Sequence, residues 1–252
     1  MSVVTTSAIV LSAVRYGDTS KIVKLATRDF GLQSAIAKGA LRPKSRFGAA
    51  LQLLSGGQAQ LYMKDTRELQ TLAQFDVQRV RIGLAADVAR WAAASMLAEL
   101  LLRFAQPEAQ PEIHDLLRDG LNLLETSADV EAAGLQAGWA LVAVFGFAPA
   151  LESCARDGEP LPEDGPLAFS PRDGGALCRS CARGVTVVTL DAAHRAALTA
   201  LLDPDGTLPA LEARAAAAHR RLFARYVRAH LAEAGPMPAL DFWLARAWMP
   251  AA

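Results

Sequence analysis

The stretch "SAIVLSAVRYGDTSKIVKLATRDFGLQSAIAKG", residues 7–39, alternates short apolar runs with turn-forming residues. Its three runs are rich in Val, Ile and Ala, and the breaks between them, "GDT" and "RDFG", have the composition of hairpin turns. The pattern predicts three consecutive β-strands. Downstream, "LQLLSGGQAQLYM" predicts a fourth strand beginning at Leu51, and "ELQTLAQFDV" predicts a fifth. Five strands in about 75 residues suit a small closed barrel such as an OB-fold, with a hairpin-linked meander as the competing interpretation.

Beyond about residue 84 the apolar period changes from that of a strand to that of a helix. Runs rich in Ala and Leu predict helices at 84–104, 111–127, 128–147, 189–202, 208–235 and 240–248. An irregular segment rich in Gly and Pro, residues 150–188, interrupts the helices. The predicted fold class is therefore α+β and multidomain. An OB-fold β-barrel occupies residues 1–80, and an α-helical domain, 81–252, contains 150–188 as a zinc-ribbon-like insertion.

Charge is distributed unevenly along the 252 residues, although the formal net charge is zero. Residues 1–50 contain eight Lys or Arg and two acids, and every lysine lies at or before Lys64. Residues 81–252 carry more acids than arginines. Such asymmetry predicts a polyanion-binding module attached to a second domain.

The stretch "KGALRPKSRFG", residues 38–48, contains four cations and no acid. Single-strand binders combine a positive groove with aromatic stacking platforms, and Phe47 either stacks in this way or packs inward. A solvated basic barrel surface is the alternative. The predicted DNA-binding residues of the barrel are Arg15, Lys21, Lys24, Lys38, Arg42, Lys44, Arg46 and Phe47.

A second basic stretch, "HRRLFARYVRAH", lies on the predicted helix at 208–235. Arg221, Arg225 and Arg228 are spaced i, i+4 and i+7, which places them on one side of that helix. They are predicted either as an accessory contact for DNA or a partner protein, or as a solvated helix face.

All three cysteines lie in 150–188. Cys178 and Cys181 form a C-x-x-C, the spacing of a zinc knuckle, by which one turn offers two thiolates to the same zinc ion. The stretch "CARDG" resembles a second knuckle. It begins with Cys154 and has Asp157 at the position of the second cysteine. Two interpretations remain open. One is a structural zinc site completed by Asp157 or water, and the other is a knuckle without metal, held by packing.

No sequence motif of a phosphate-binding loop, a dinucleotide site, a nucleophile elbow or a zinc protease is present. "DFG" at 29–31 is predicted to be a hairpin turn. The chain is therefore expected not to be an enzyme, with a metal-dependent nuclease using the carboxylates of 152–164 as a minor hypothesis. The N-terminus lacks a signal peptide and no long uninterrupted apolar run occurs, so a cytoplasmic protein without a membrane contact is expected.

The stretch 16–55 closely resembles the N-terminal region of the RecO family of bacterial recombination mediators. "ESCARDGE" and "GGALCRSC" resemble the two zinc knuckles found in many members, and "YVRAHLAEAG" extends the resemblance to residue 235. Asp157 departs from the four-cysteine pattern. The N-terminal family positions are matched by Tyr16, Asp18, Thr27, Gly31, Ala37, Gly39, Arg42 and Ser45.

The resemblance implies an OB-fold followed by a helical domain with a zinc-finger-like insertion. It also implies a cytoplasmic, nucleoid-associated bacterial protein. Such a protein binds single- and double-stranded DNA and anneals complementary strands. The implied partners are RecR, the acidic C-terminal tail of single-strand binding protein and, indirectly, the RecA recombinase. An RNA-binding OB-fold protein of translation or rRNA processing is the alternative function.

Overall fold

A computed structural model describes residues 2–64, 66–231 and 235–246, and contacts divide the chain into two compact units, Met1–Thr126 and Ser127–Ala252. The predicted order, strands and then helices, is confirmed. The domain boundary at residue 80 stays a prediction, since the first unit includes helices that pack against β1 and β2. Its elements are β1 Ser2–Tyr16, β2 Ser20–Thr27, β3 Gly31–Ala37, β4 Gly56–Met63, β5 Leu69–Arg79, α1 Ile82–Ala85, α2 Val88–Phe104 and α3 Pro111–Thr126.

The five N-terminal strands hydrogen-bond in the order β1-β2-β3-β5-β4, and β4 pairs with the first half of β1, so the sheet closes on itself. Every ladder is antiparallel except β3–β5, which is parallel and three residue pairs long. An irregularity between Val10 and Ser12 interrupts the β1–β2 register. Such bulges bend a strand, which allows the long β1 to pair with a different neighbour along each half.

Alternate residues of each strand point into the barrel. The core of the barrel consists of small, branched and aromatic apolar side chains. Ala40, Phe47 and Leu51, from the connection between β3 and β4, belong to the same core. The strand residues of this core are Ala8, Val10, Val23, Leu25, Ala35, Ala37, Ala59, Leu61, Leu72 and Phe75.

The fourth strand begins at Gly56, so the prediction that it begins at Leu51 is wrong. Leu54 has a φ of 65°, in the left-handed region, and its N–H donates to the carbonyl of Val10 at 2.8 Å. Leu51 and Leu54 are both buried. The apolar run therefore forms a buried turn, because tertiary burial outweighs its strand-like composition.

The second unit is mainly helical, with a small three-stranded sheet ordered β7-β6-β8. This sheet begins inside 150–188, so the expectation of a wholly irregular segment there is wrong. Trp139 lies at the centre of the core, with ring centroids 5.0 Å from Phe223 and from Tyr226. The elements are α4 Val130–Val142, a turn of π-helix Ala143–Phe147, β6 Leu167–Ser170, β7 Gly175–Leu177, β8 Val188–Leu190, α5 Ala192–Leu202, α6 Ala213–His230 and α7 Pro238–Ala245.

Several helical predictions differ from this structure at their ends. The helix expected at 84–104 is two helices, α1 and α2, with a break at residues 86–87. The helix expected at 189–202 begins at Ala192, because residues 189–190 belong to β8. The helix expected at 208–235 begins at Ala213 and ends at His230, and residues 232–234 lie outside the described part of the chain. The helix expected at 240–248 ends at Ala245, with Arg246 in the left-handed conformation that terminates it. Residues 247 and 248 of that prediction also lie outside the described residues.

The stretch Val130–Phe147 is long and apolar enough to cross a membrane by length and composition. In the structure, 61% of this stretch is buried. A buried core helix passes the same test, and the packing of Trp139 against α6 shows that this helix has a core position.

Candidate nucleic-acid interface and metal centre

Residues 38–48, here called the cationic loop, form a series of tight turns between β3 and β4. The N–H groups of Arg42 and Ser45 donate to the carbonyls of Gly39 and Arg42, at 3.1 and 3.0 Å. Gly39 has a φ of 73°, the left-handed region in which glycine is favoured. These turns bring the four cationic side chains, Lys38, Arg42, Lys44 and Arg46, to the surface, where all are exposed.

The cationic loop is held from beneath and from one side. Ala40 and Phe47 are buried in the barrel core. The N–H of Leu41 donates to the carbonyl of Thr19, in the turn between β1 and β2, at 2.8 Å. These anchors are main-chain atoms and apolar side chains, and the Arg46 guanidinium adds a contact over the Phe47 ring, 5.2 Å from its centroid.

The predicted DNA-binding residues fall into three places. Arg15 and Lys21 are direct cross-strand partners beside the β1–β2 turn, so the hydrogen bond to Thr19 brings them next to the cationic loop. Lys24 pairs with Ser12 and Ser34, on the outer face of the sheet. Phe47 is 2% exposed, so of the two predicted roles it adopts packing, and its ring does not offer a stacking platform.

The cations of the loop are not neutralised locally. Among the described residues, none of the loop's four Lys and Arg side chains forms an ion pair. Arg28 differs, because its guanidinium lies 3.2 Å from the carboxylate of Asp115 on α3. The surplus positive charge of the N-terminal region is therefore concentrated at the end of the barrel formed by the cationic loop and the β1–β2 turn.

The stripe predicted on α6 is partly exposed. Arg221 and Arg225 are open to solvent, whereas Arg228 pairs with Asp241 of α7. Arg220, the neighbour on the buried side, pairs with Glu131. Two of the three predicted cations are thus available to a ligand without breaking a described ion pair.

A cluster of four potential metal ligands lies in the second unit. The ligand atoms of Cys154, Asp157, Cys178 and Cys181 all lie within 4.8 Å of one another. A tetrahedral zinc site with Zn–S bonds of 2.3 Å needs ligand atoms about 3.8 Å apart. Gly158, with a φ of 74°, turns the chain so that Asp157 faces the thiols. The residues present therefore fit a four-coordinate zinc ion.

Hydrogen bonds inside the cluster link the cysteine thiols to the Asp157 carboxylate and shift the pKa values of both kinds of group. The Cys181 thiol donates to the Asp157 carboxylate at 3.0 Å, and the Cys178 thiol does so at 3.4 Å. Thiol donors, Cys154 first, hold the pKa of Asp157 well below its usual range. Asp157 in turn raises the pKa of Cys181 to about 12. One cation at the centre of the cluster could take the place of these shared protons.

The surrounding residues hold the cluster in place. The Arg156 guanidinium donates to Asp173 at 2.7 Å and to the Cys181 carbonyl at 3.3 Å. The Cys154 N–H donates to the Glu159 carbonyl at 2.8 Å. The bond from Arg156 to the Cys181 carbonyl joins the two knuckles, which lie more than twenty residues apart in sequence, and the bond from Cys154 to Glu159 closes the first knuckle. Contacts of this kind orient metal ligands.

A Ser-His-Asp arrangement that the sequence did not reveal lies in the first unit. Ser7 Oγ is 3.3 Å from His114 Nε2, and His114 Nδ1 is 3.1 Å from Asp115 Oδ1. The adjoining cavity has a volume of about 10 Å³, enough for about one water. His114 is buried and its pKa is lowered by that burial, and the Asp115 carboxylate is already shared with arginines. We therefore interpret the arrangement as a structural contact that holds α3 against β1 of the barrel.

Comparison with known proteins identifies the family. The family description "Recombination protein O N terminal" matches residues 1–81, and "Recombination protein O C terminal" matches residues 85–237. This chain belongs to the RecO family. The expected resemblance is thereby confirmed, and it covers both the barrel and the helical part. A role in DNA repair and recombination follows from membership of the RecO family.

Curated relatives extend over most of the chain. "DNA repair protein RecO" of Anaeromyxobacter dehalogenans (strain 2CP-C) is 36% identical over 218 residues, 85% of each chain. The protein of that name from Rubrobacter xylanophilus is 35% identical over 186 residues, 72% of each chain. The one from Streptomyces griseus subsp. griseus is 32% identical over 240 residues, 92% of this chain and 95% of the relative.

Proposed function

We propose that this RecO-family chain is a DNA-binding recombination mediator whose cationic loop holds the phosphate backbone. The observation that carries the proposal is the concentration of unpaired cations at one end of the closed barrel. The strand order and the β1 bulge support assignment of the barrel as an OB-fold, a fold that binds single strands in a positive groove.

Arg15, Lys21 and the cationic loop supply the phosphate contacts in this proposal, with Lys24 contributing from the outer face. Because backbone binding releases counterions, affinity for a single strand falls with salt with a log-log slope of about −0.7 per contact. Four or five contacts give a slope of about −3. Arg221 and Arg225 form an accessory contact for DNA or a partner.

The proposed activity is strand annealing. Cations that screen two phosphate backbones reduce their repulsion, which allows complementary bases to pair. RecR and the acidic tail of single-strand binding protein are the proposed protein partners, and RecA loading onto coated DNA is the proposed outcome. We propose no reaction chemistry for the chain and a cytoplasmic location.

Zinc is the proposed structural cofactor. Cys154, Cys178 and Cys181 would hold it as thiolates and Asp157 as a carboxylate, which stabilises the insertion by linking its two knuckles. Metal analysis of the purified protein, with zinc removed from the buffers, tests this assignment. A metal-free protein with an unchanged unfolding temperature would contradict it.

The decisive experiment for DNA binding compares two quadruple alanine variants in fluorescence anisotropy with oligo(dT) and duplex DNA. One removes Lys38, Arg42, Lys44 and Arg46. The matched control removes four exposed arginines of the second unit, Arg172, Arg179, Arg183 and Arg214. The loop variant is expected to lose affinity and to flatten the salt slope, whereas the control keeps both.

Unchanged affinity and slope in the loop variant would remove the cationic loop from the DNA site. An annealing assay with and without single-strand binding protein then tests the mediator role. Matched DNA and RNA oligonucleotides separate the RNA-binding alternative, because an RNA binder is expected to use the 2′-hydroxyl. Incubation with Mg²⁺ or Mn²⁺ tests the nuclease hypothesis, which predicts cleavage.

A further inference from the structure

The outer face of β1, β2 and β3 carries apolar side chains where a solvated sheet face is ordinarily polar. Register places Val14, Ile22 and Ile36 side by side in one row, and Tyr16 follows two residues beyond Val14 on the same face. Val14 is 54% exposed and Tyr16 is 53% exposed, and the two isoleucines are half-buried. These four residues are here called the apolar face.

Cations flank the apolar face, and one acid, the exposed Asp18, lies in the β1–β2 turn beyond Tyr16. Lys24 stands on the same side of β2, two residues from Ile22, and is exposed. The neighbouring outward positions in the described ladders are uncharged, namely Ser12, Ser20 and Ser34 and, on β5, Leu69 and Thr71. Lys38, the first residue of the cationic loop, comes two residues after Ile36 and is also exposed.

An apolar surface flanked by cations suits a polyanion that also carries flat apolar groups. Single-stranded DNA has this chemistry, since each phosphate is followed by a base whose face is exposed. In a duplex the base faces are stacked on one another and cannot contact a protein side chain without unstacking. The apolar face therefore has chemistry that single strands can use and intact duplexes cannot.

We propose that unpaired bases stack on Tyr16 and pack against the rest of the apolar face, while Lys24 and the cationic loop hold the adjoining phosphates. This inference rests on the proposed DNA-binding function and adds the means by which the chain prefers single strands. Stacking accepts any base because each has a π-face. Sequence-tolerant contacts of this kind suit a protein that pairs strands of arbitrary sequence.

The test measures binding of Tyr16→Ala, Tyr16→Phe and Ile82→Ala to three probes, namely oligo(dT), an abasic oligonucleotide of equal length and duplex DNA. Tyr16→Ala is expected to weaken oligo(dT) binding about tenfold and to leave the salt slope and the other two probes unchanged. Tyr16→Phe keeps the ring and is expected to bind as the parent does. Ile82, 72% exposed and outside the apolar face, gives the matched control.

A second measurement uses the unaltered chain and so does not depend on the folding of a variant. Oligonucleotides that contain 5-iododeoxyuridine are irradiated with the protein, and the crosslinked peptide is sequenced by mass spectrometry. The expected crosslink is to Tyr16. The inference is overturned if the crosslinks lie elsewhere, or if Tyr16→Ala weakens the abasic and duplex probes as much as oligo(dT).

Failure of this inference differs from failure of the proposed function. If the loop variant binds DNA like its parent, the proposed DNA site is wrong whatever the data for Tyr16 show. If the loop variant loses binding and Tyr16→Ala does not, the cationic loop keeps its role and base stacking on the apolar face is rejected. The apolar face would then be a candidate protein contact.

Discussion

Acidification from pH 8 to pH 5 is expected to weaken the second compact unit by about 2 kcal/mol through one imidazole, that of His219. This residue is 1% exposed, and neither ring nitrogen has a hydrogen-bond partner among the residues described. Burial is the main cause that lowers the pKa of His219 from 6.5 to about 4. The charge of His194 lowers this pKa further, and Asp191 opposes the shift.

Stability falls on acidification because the unfolded state binds a proton at His219 more readily than the folded state does. Between pH 6.5 and pH 4 the unfolded chain is protonated at His219 while the folded chain is not, so the free energy of unfolding falls as the pH falls. The loss begins near pH 6.5 and is complete below the folded pKa, where it reaches about 3 kcal/mol. Above the unfolded pKa the group is neutral in both states and contributes no pH dependence.

The assay is urea unfolding followed by tryptophan fluorescence in a Trp91→Phe background, which leaves tryptophans only in the second unit. His219→Leu and His219→Gln remove the titration with an apolar and a polar side chain. Between pH 8 and pH 5 the parent is expected to lose about 2 kcal/mol more stability than either variant. Equal losses in parent and variants would refute this account of His219.

Three further predictions concern packing and metal binding. Glu131→Ala removes the partner of Arg220, whose side chain is 7% exposed. The variant is expected to lower the free energy of unfolding of the second unit by about 3 kcal/mol in urea. A free energy of unfolding equal to the parent's would count against this ion pair. Gly138→Ala places a Cβ 2.7 Å from the Phe223 ring and is expected to cost about 1–3 kcal/mol in the same assay, with no loss if the ring moves aside freely. Asp157→Cys completes a four-thiolate set and is expected to slow zinc release to a chelator relative to the parent, whereas release at the parent rate would show that Asp157 is not a ligand.

The first three strands of the barrel and the turns between them were predictable because each depends on residues that are adjacent in sequence. Hairpin breaks at 17–19 and 28–30 separate three strands, and "DFG" does lie at the β2–β3 turn, as expected. The cationic loop was also visible, since its cations and turn formers are contiguous. The four metal-ligand candidates were predictable from knuckle spacing, and the structure brings them together.

Features that depend on distant partners were not predictable from such patterns. Leu51 and Leu54 have the composition of a strand. Their burial against the barrel, which fixes them in a turn, depends on residues distant in sequence. Phe47 could stack or pack by sequence alone, and closure of the barrel end decides for packing. The contact of Ser7 with His114 joins residues 107 positions apart, for which one sequence carries no local signal.

The hydrogen bond between Leu41 and Thr19 has a consequence for how this surface can vary. The loop is positioned by a main-chain bond and by buried apolar anchors, whereas the proposed function assigns its ligand contacts to exposed side chains. Charge at Lys38, Arg42 and Lys44 can therefore rise or fall over evolutionary time with little effect on folding, whereas Arg46 also contacts the buried Phe47 ring. If the proposed function holds, polyanion binding and resistance to unfolding depend largely on separate residues of one short segment, so each can adapt with little effect on the other.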